Sequence, residues 1–335
     1  MTLLFSVLMP AYQAVATIDA AVESVVAQRL ESWELVIADD GSTDGTYEKA
    51  LAWRAREERV RLVHHVGRTN LGRPATRNLT VREARGSLVA FLDADDLWLP
   101  EALTVFRQGF ERFPTAAVVY AEAETFGEAP IPPPRARGIP NVEAHMLRQL
   151  ARFNTLVTSA TAVRRSAFPD PPFPETLPLA QDWACWLSLA RSYPFVFLPQ
   201  TVARYRLNSA GGQAVVALRD YRPQYFGWQV GHLRSLAREA TTAEEARAFR
   251  EGLEFRATEA FQMAASALRR GRLARSLNWL RRGFVAAGSL RGLALAAMEV
   301  FPRQRLVWRR GELPLTITSA PDPAERRTAG RPGAE

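Results

Sequence analysis

The chain has 335 residues, 47% hydrophobic and 23% charged, with a net charge of +8 and a single cysteine. That composition describes a globular chain large enough for a full core and an appendage. It excludes a disulfide framework and a cysteine-rich zinc site, and Cys185 standing alone fits a reducing compartment.

Leu4–Met9 is an apolar run stopped by Pro10, a first strand. Thr17–Gln28 places Ile18, Val22, Val25 and Val26 on one helical face, with Thr17 as N-cap. Trp33–Ala38 is a second strand ending in Asp39-Asp40-Gly41-Ser42-Thr43-Asp44-Gly45, followed by a helix to about residue 58. Val60–His64 is a third strand, and Gly67–Asn78 a loop running into a helix. Ser87–Leu92 is a short apolar run of the buried-strand type. Asp93-Ala94-Asp95-Asp96 follows it, and Pro100 suits the first turn of a helix carrying Leu103, Phe106, Phe110 and Phe113. Strand and helix alternating over a hundred residues imply a mostly parallel, doubly wound α/β sheet flanked by helices.

Regularity then loosens. Ala116–Ala121 reads as a strand, Ala129–Pro140 as a proline-rich excursion, Leu156–Val163 as a return to the sheet and Pro169–Pro178 as a second proline-rich loop. Leu179–Arg191 is a helix, with short strands at Phe195–Leu198 and Val202–Leu207. Beyond Gly212 the pattern is helical: Ala243–Arg270 and Arg272–Ala287 are hinged at Gly271, with Leu273, Leu277, Leu280 and Phe284 in one stripe. The expected division is a catalytic domain at 1–212, a helical extension at 213–312 and a disordered tail at 313–335.

The charge is uneven. From Arg219 onward 21 basic residues face 12 acidic ones, a net +9, leaving −1 before that point. Lys49 is the only lysine, so genomic base composition accounts for many arginines, and arginine counts alone do not mark phosphate sites. The basic residues are not interleaved with aromatics, so the partner implied is an anionic membrane surface and not nucleic acid. Phe284–Phe301 reads as a helix lying on a membrane or as a hairpin packed on the core; packing is the reading preferred. No run reaches roughly 18 apolar residues, and Met1–Pro10 lacks the marks of a signal peptide, so the expected location is cytoplasmic, peripheral on the inner membrane face at most.

Two acidic clusters close successive strands, Asp39-Asp40 and Asp93 to Asp96. At the carboxyl edge of one parallel sheet they face a common crevice, where such folds bind ligands. Adjacent carboxylates repel unless a cation or protons intervene. Hard oxygen donors of this kind suit Mg²⁺ or Mn²⁺ shared with substrate phosphates.

Four stretches, Pro10-Ala11-Tyr12-Gln13, Asp39 to Asp44, Asn70-Leu71-Gly72 through Asn78, and Phe91 to Pro100, follow in order and spacing. Together they resemble the signatures of family 2 glycosyltransferases, GT-A fold inverting enzymes that use nucleotide-diphosphate sugars. The resemblance covers roughly residues 1–210. It implies that Pro10, Ala11 and Tyr12 line a nucleotide pocket, with Tyr12 beside the base and Asp40 accepting from it, most often from uracil. Arg77 falls among the nucleotide-sugar-binding residues. Asp93 approaches the ribose or the metal, and Asp95 is the principal metal ligand, for Mn²⁺ or Mg²⁺. Gln181-Asp182-Trp183-Ala184-Cys185-Trp186-Leu187 resembles the family's Glu-Asp-x-x-x-Trp-Leu segment, which makes Asp182 the catalytic base and puts Gln181 where the family has Glu. Arg204-Tyr205-Arg206-Leu207-Asn208 resembles a strand that contacts pyrophosphate, with Asn208 in place of a His and either arginine able to serve. The implied function is transfer from a nucleotide-diphosphate sugar, UDP-linked for preference, to a glycan or lipid-linked hydroxyl in cell-surface polysaccharide or glycolipid synthesis. The alternative is a non-catalytic nucleotide-sugar-binding protein of the same fold, which Gln181 favours. A nucleotidyltransferase would need a glycine- and lysine-rich loop near the first strand, and Lys49 does not stand there.

Overall fold

The computed structural model describes residues 3–127, 143–207 and 223–288. The first proline-rich excursion, Asn208, the 212 boundary and everything after residue 288 lie outside these residues. The described strands are β1 Phe5–Ala11, β2 Trp33–Asp39, β3 Val60–His64, β4 Leu88–Phe91, β5 Leu97–Trp98, β6 Val118–Gly127, β7 Thr161–Arg164 and β8 Phe195–Leu207. They form one sheet in the order β3-β2-β1-β4-β7-β6-β8-β5. β1 to β4 are mutually parallel, as the alternating pattern requires. β7 runs antiparallel between β4 and β6, and β5 antiparallel along β8, which is where the sequence periodicity loosens.

Helices cover both faces of the sheet: α1 Ile18–Val26, α2 Thr46–Arg56, α3 Arg73–Glu83, α4 Ala102–Arg112, α5 Glu143–Arg152 and α6 Gln181–Ala190. Phe5, Val7, Met9, Leu35 and Ile37 pack with Ile18, Val22, Val25, Leu103, Phe106 and Phe110 on one face. Leu8, Val36, Val89 and Phe91 pack with Val81, Phe173, Trp183 and Trp186 on the other. Strands buried on both sides read as unbroken apolar runs, which is why they were legible.

Three boundaries differ from expectation for local reasons. β1 continues through Pro10 to Ala11. The Leu4 and Leu8 carbonyls accept from Leu88 and Leu92, so the donor that proline lacks would point to a side where β4 has already ended. The two short strands after Phe195 are one strand, interrupted where the pairing with β6 slips between Leu198 and Ala203. The two-residue β5 is too short for any periodicity to read, whereas α5 carries one, with Met146, Leu147, Leu150 and Ala151 on its buried face, and is an element the reading by sequence passed over.

The helical extension is α7 Pro223–Glu239, α8 Ala243–Arg269 and α9 Leu273–Ala287, with Gly271 in the left-handed region at the turn between the last two. α8 lies against α5 so closely that a Cβ on Gly252 would sit 2.6 Å from the Ala151 carbonyl oxygen. Arg148 pairs with Glu251 at 2.8 Å and Arg191 with Glu245 at 2.6 Å. The extension is therefore packed on the core over the described residues. The face of α9 that packs is Ser276, Trp279, Gly283 and Ala286, while Leu273, Leu277 and Phe284 of the expected stripe are exposed.

The Arg191 hydrogen bond outweighs burial and holds the Glu245 carboxyl down at about 2. Its stabilisation is therefore present above the ordinary carboxylate range and is lost as pH falls through that range towards 2. Glu245→Gln should lower the melting temperature by a few degrees at pH 7, and calorimetry should show the gap from wild type closing between about pH 4.5 and pH 2.

Candidate active site

The parallel strands β1, β2, β3 and β4 deliver Tyr12, Asp40, His65 and Asp93 just past one edge of the sheet. With neighbouring strands about 4.8 Å apart, the ends of β2 and β4 flank β1 about 10 Å from each other. The first two loops are laced together. The Gln13, Ala14 and Val15 N–H groups donate to Ser42 Oγ, Thr46 Oγ1 and Asp44 Oδ2 at 3.1, 2.8 and 3.0 Å. Gly41 has φ +76°, and a Cβ there would lie 2.6 Å from the Arg68 carbonyl oxygen, because the loop after β3 crosses directly over it.

The two aspartates of this loop do different work. Asp40 accepts from the Leu71 and Gly72 N–H groups at 2.9 and 3.1 Å, so both its oxygens are engaged at the start of α3. Asp39, fully buried, accepts from Gly41 and Ser42 N–H through Oδ2, while Oδ1 is buried with no hydrogen-bond partner in the structure. An acceptor left in this condition is costly unless a donor arrives. Tyr12 is 53% exposed and Pro10 half-buried beside this loop, while Ala11 is buried.

Beyond β4, carboxylate oxygens of Asp93, Asp95 and Asp96 lie within 4.8 Å of one another. Asp96 is buried and tied on both sides: Ser159 Oγ donates to Oδ2 and the Arg206 N–H to Oδ1 at 2.8 Å. Ser159 Oγ also accepts from the Asp93 N–H at 3.1 Å, and its carbonyl accepts from Trp98 Nε1 at 2.6 Å. The Arg206 Nε donates to the Asp95 carbonyl at 2.8 Å. Arg204 instead pairs with Glu124 at 2.9 Å.

Burial raises the Asp95 carboxyl, and the Asp93 charge adds to it; burial likewise raises Asp96 well above the ordinary range, with Asp95 and Asp93 contributing. For Asp93, burial is outweighed by Arg77 and Arg73, which hold it low. A divalent cation is the natural counter-charge for such a group, and three clustered hard oxygen ligands fit one.

Arg77 is 2% exposed, and its Nη2 donates to Asp93 Oδ1 at 2.8 Å. Burial works against its charge, and Asp93 and then Asp182 more than restore it. Arg77 is thus a buried guanidinium held between two acids. Asp182 stands in the first turn of α6, half-buried, where Asn154 Nδ2 and Thr158 Oγ1 donate to Oδ2 at 3.2 and 3.3 Å. Gln181 faces the interior at 3% exposure. Phe91 meets the Trp186 ring edge-on, centroids 5.7 Å apart. This contact sets α6 against β4, and so Asp182 against Asp93. Asn78 clasps the second proline-rich loop, exchanging bonds with the Phe173 carbonyl and N–H at 2.9 Å each.

Sequence reasoning did not find Asn154, Thr158 or Ser159. They lie in an irregular stretch where single hydroxyls and amides carry no periodic signal.

The family model described as Glycosyl transferase family 2 matches residues 6–170. Among curated proteins, the chain is 37% identical over 100 residues to UDP-Glc:alpha-D-GlcNAc-diphosphoundecaprenol beta-1,3-glucosyltransferase WfgD of Escherichia coli, covering 30% of this chain and 38% of that protein. It is 39% identical over 100 residues to the putative teichuronic acid biosynthesis glycosyltransferase TuaG of Bacillus subtilis, covering 30% and 39%. The chain thus spans about two fifths of the length of these relatives. Among solved structures, mannosyltransferase PcManGT from Pyrobaculum calidifontis, in complex with GDP-Man and Mn²⁺, aligns with TM-score 0.57 and 20% identity over 90% of this chain and 80% of that one. S. aureus TarS 1-349 in complex with UDP-GlcNAc aligns with TM-score 0.56 and 15% identity over 83% and 90%. At such identities the likeness is one of fold.

Ser159→Ala removes the hydroxyl shared by Asp96 and the Asp93 N–H. Urea denaturation should show a loss of about 1–3 kcal/mol for these unsatisfied buried groups, with circular dichroism unchanged.

Proposed function

The chain belongs to glycosyl transferase family 2 through its domain at residues 6–170, on a GT-A fold, and from that premise we propose an inverting transfer from a nucleotide-diphosphate sugar to a hydroxyl acceptor. The observation that carries this reading is the pairing of two acidic stations across one buried guanidinium, Asp93 with Asp95 on the side of β4 and Asp182 on α6. The first suits the donor's diphosphate and the second the acceptor.

The nucleoside lies along Pro10, Ala11 and Tyr12, the exposed Tyr12 ring serving as a stacking face for the base. Asp40 accepts from a base N–H, such as that of uracil, through lone pairs that its bonds from the Leu71 and Gly72 N–H groups leave over. Asp95 and Asp93 would hold a Mn²⁺ or Mg²⁺ ion, which when bound supplies Lewis-acid stabilisation for charge developing on a departing diphosphate. The Arg206 side chain, anchored on the Asp95 carbonyl, fixes the acid loop from the opposite side. Asp182 takes the proton of the acceptor hydroxyl as it attacks the anomeric carbon. Asn154 and Thr158 occupy its Oδ2. That orients the carboxylate for this task. Direct displacement at the sugar inverts the anomeric centre, through a transition state resembling that of glycoside hydrolysis.

The acceptor is a glycan or a lipid-linked sugar, in the synthesis of a cell-surface polysaccharide or glycolipid. WfgD and TuaG, by their names, support that class. We place the reaction on the cytoplasmic face of a membrane; among the described residues no helix is long and apolar enough to cross one. The non-catalytic alternative rests on Gln181; its side chain is buried while Asp182 beside it is half-exposed, which supports Asp182 as the working carboxylate.

Two variants separate donor handling from chemistry. Asp182→Asn should lower turnover by about 10²–10⁴-fold while UDP with Mn²⁺ still raises the melting temperature. Asp95→Asn should abolish both transfer and the Mn²⁺-dependent part of that rise. Full turnover in Asp182→Asn would exclude it as the base.

A further inference from the structure

We propose that the turn between α8 and α9, with the outward face of α9, is a docking surface for an anionic lipid bilayer. On the glycosyltransferase reading above, it also brings the active site to a membrane-borne acceptor.

α9 spends its small-residue face, Ser276, Gly283 and Ala286 together with Trp279, on packing against the extension. Its opposite face leaves Leu273, Leu277 and Phe284 exposed at 61%, 57% and 54%, with Val285 beside them and Leu268 across the turn. These five make up half of the exposed large hydrophobic side chains among the described residues, gathered in a stretch of 18 positions. Exposed apolar residues scattered singly need no explanation, but a contiguous group does.

Charge selects the occupant. From Phe261 to Gly288 the chain has six arginines and no acidic residue. Arg269, Arg270 and Arg272 stand exposed at the turn itself. Leucines set among arginines match an interfacial surface, the apolar ends entering the acyl boundary and the guanidinium groups staying among anionic headgroups. A second copy of this chain would bring the exposed Arg269, Arg270, Arg272 and Arg281 against the same four, so self-association through this face is disfavoured.

The position of the turn relates it to the site. α8 begins at the carboxyl end of α6, where Glu245 meets Arg191, and reaches the amino end of α6 where Phe255 packs on Phe153, next to Asn154 and its partner Asp182. From Phe255 the helix continues to Arg269, about 20 Å at 1.5 Å per residue. The turn thus stands beyond Asp182 on the end of the molecule where the candidate base lies.

The test is co-sedimentation of the full chain with vesicles of phosphatidylcholine alone and of equimolar phosphatidylcholine and phosphatidylglycerol. The chain should bind the mixed vesicles, not the neutral ones, and less at high salt. At about fivefold per arginine, replacing Arg269, Arg270 and Arg272 together by Gln should weaken binding on the order of a hundredfold. Leu273→Ser with Leu277→Ser should weaken it too, and neither variant should change the melting temperature or its rise with UDP. Equal binding to neutral and anionic vesicles, wild-type binding by the arginine variant, or a dimer dissolved by the leucine variant overturns the proposal. Lipid binding kept in a chain that no nucleotide stabilises would sink the glycosyltransferase reading and leave the docking surface standing.

Discussion

A half-buried loop holding three carboxylates cannot stay closed without positive charge beside it, and Arg77 is the group the fold buries there. Its guanidinium, drawn from the middle of α3, is almost wholly removed from solvent and bonded to Asp93. Burying such a charge is expensive unless it is paired. The pairing in turn keeps Asp93 ionised while burial and like-charge repulsion push Asp95 and Asp96 towards their protonated forms. Because Asp182 also contributes to stabilising Arg77, the two acidic stations are held in one electrostatic unit.

The surrounding packing makes that unit rigid. Phe91, two residues before Asp93, and Trp186, one turn after Asp182, share an edge-to-face contact in the core. Ser159 joins the acid loop to the turn before β7, and Arg206 joins it to the end of β8. The acids therefore sit on a loop, but strands and a helix position them, as a reacting geometry requires. The helical extension belongs to the same arrangement, since α8 pairs with Arg191 at the carboxyl end of α6 and packs on Phe153, next in sequence to the Asn154 that donates to Asp182.

Much of the fold was legible because its central strands are buried on both faces and its first helices are amphipathic. Apolar runs at Phe5, Trp33 and Leu88 and the acids that close them placed both acidic clusters at one edge of the sheet, where the parallel pairing has them. Other features were illegible for physical reasons. β5 is two residues long, and β8 contains an irregularity around Pro199 that reads as a break. The stripe Leu273, Leu277 and Phe284 looked like a packing face, but helix–helix approach here uses small residues, which hydropathy does not flag. Within the site, composition does not report that the Leu71–Gly72 backbone holds the Asp40 carboxylate while Asp39 is sealed beneath the loop; the crossing of the loop after β3 does that. Arg77 was named for its motif, yet its burial depends on α3 packing that no local pattern reports.

The central claim, that these acids face one groove and join a cation to a diphosphate, is tested most directly by an anomalous difference map from crystals grown with UDP and Mn²⁺. The expected result is a single strong peak bridging the Asp95 carboxylate and the diphosphate, with the base stacked on Tyr12 and its N–H turned to Asp40. A nucleotide bound away from the carboxyl edge of β1 and β4, or a Mn²⁺ peak with no aspartate of this loop beside it, would contradict the claim.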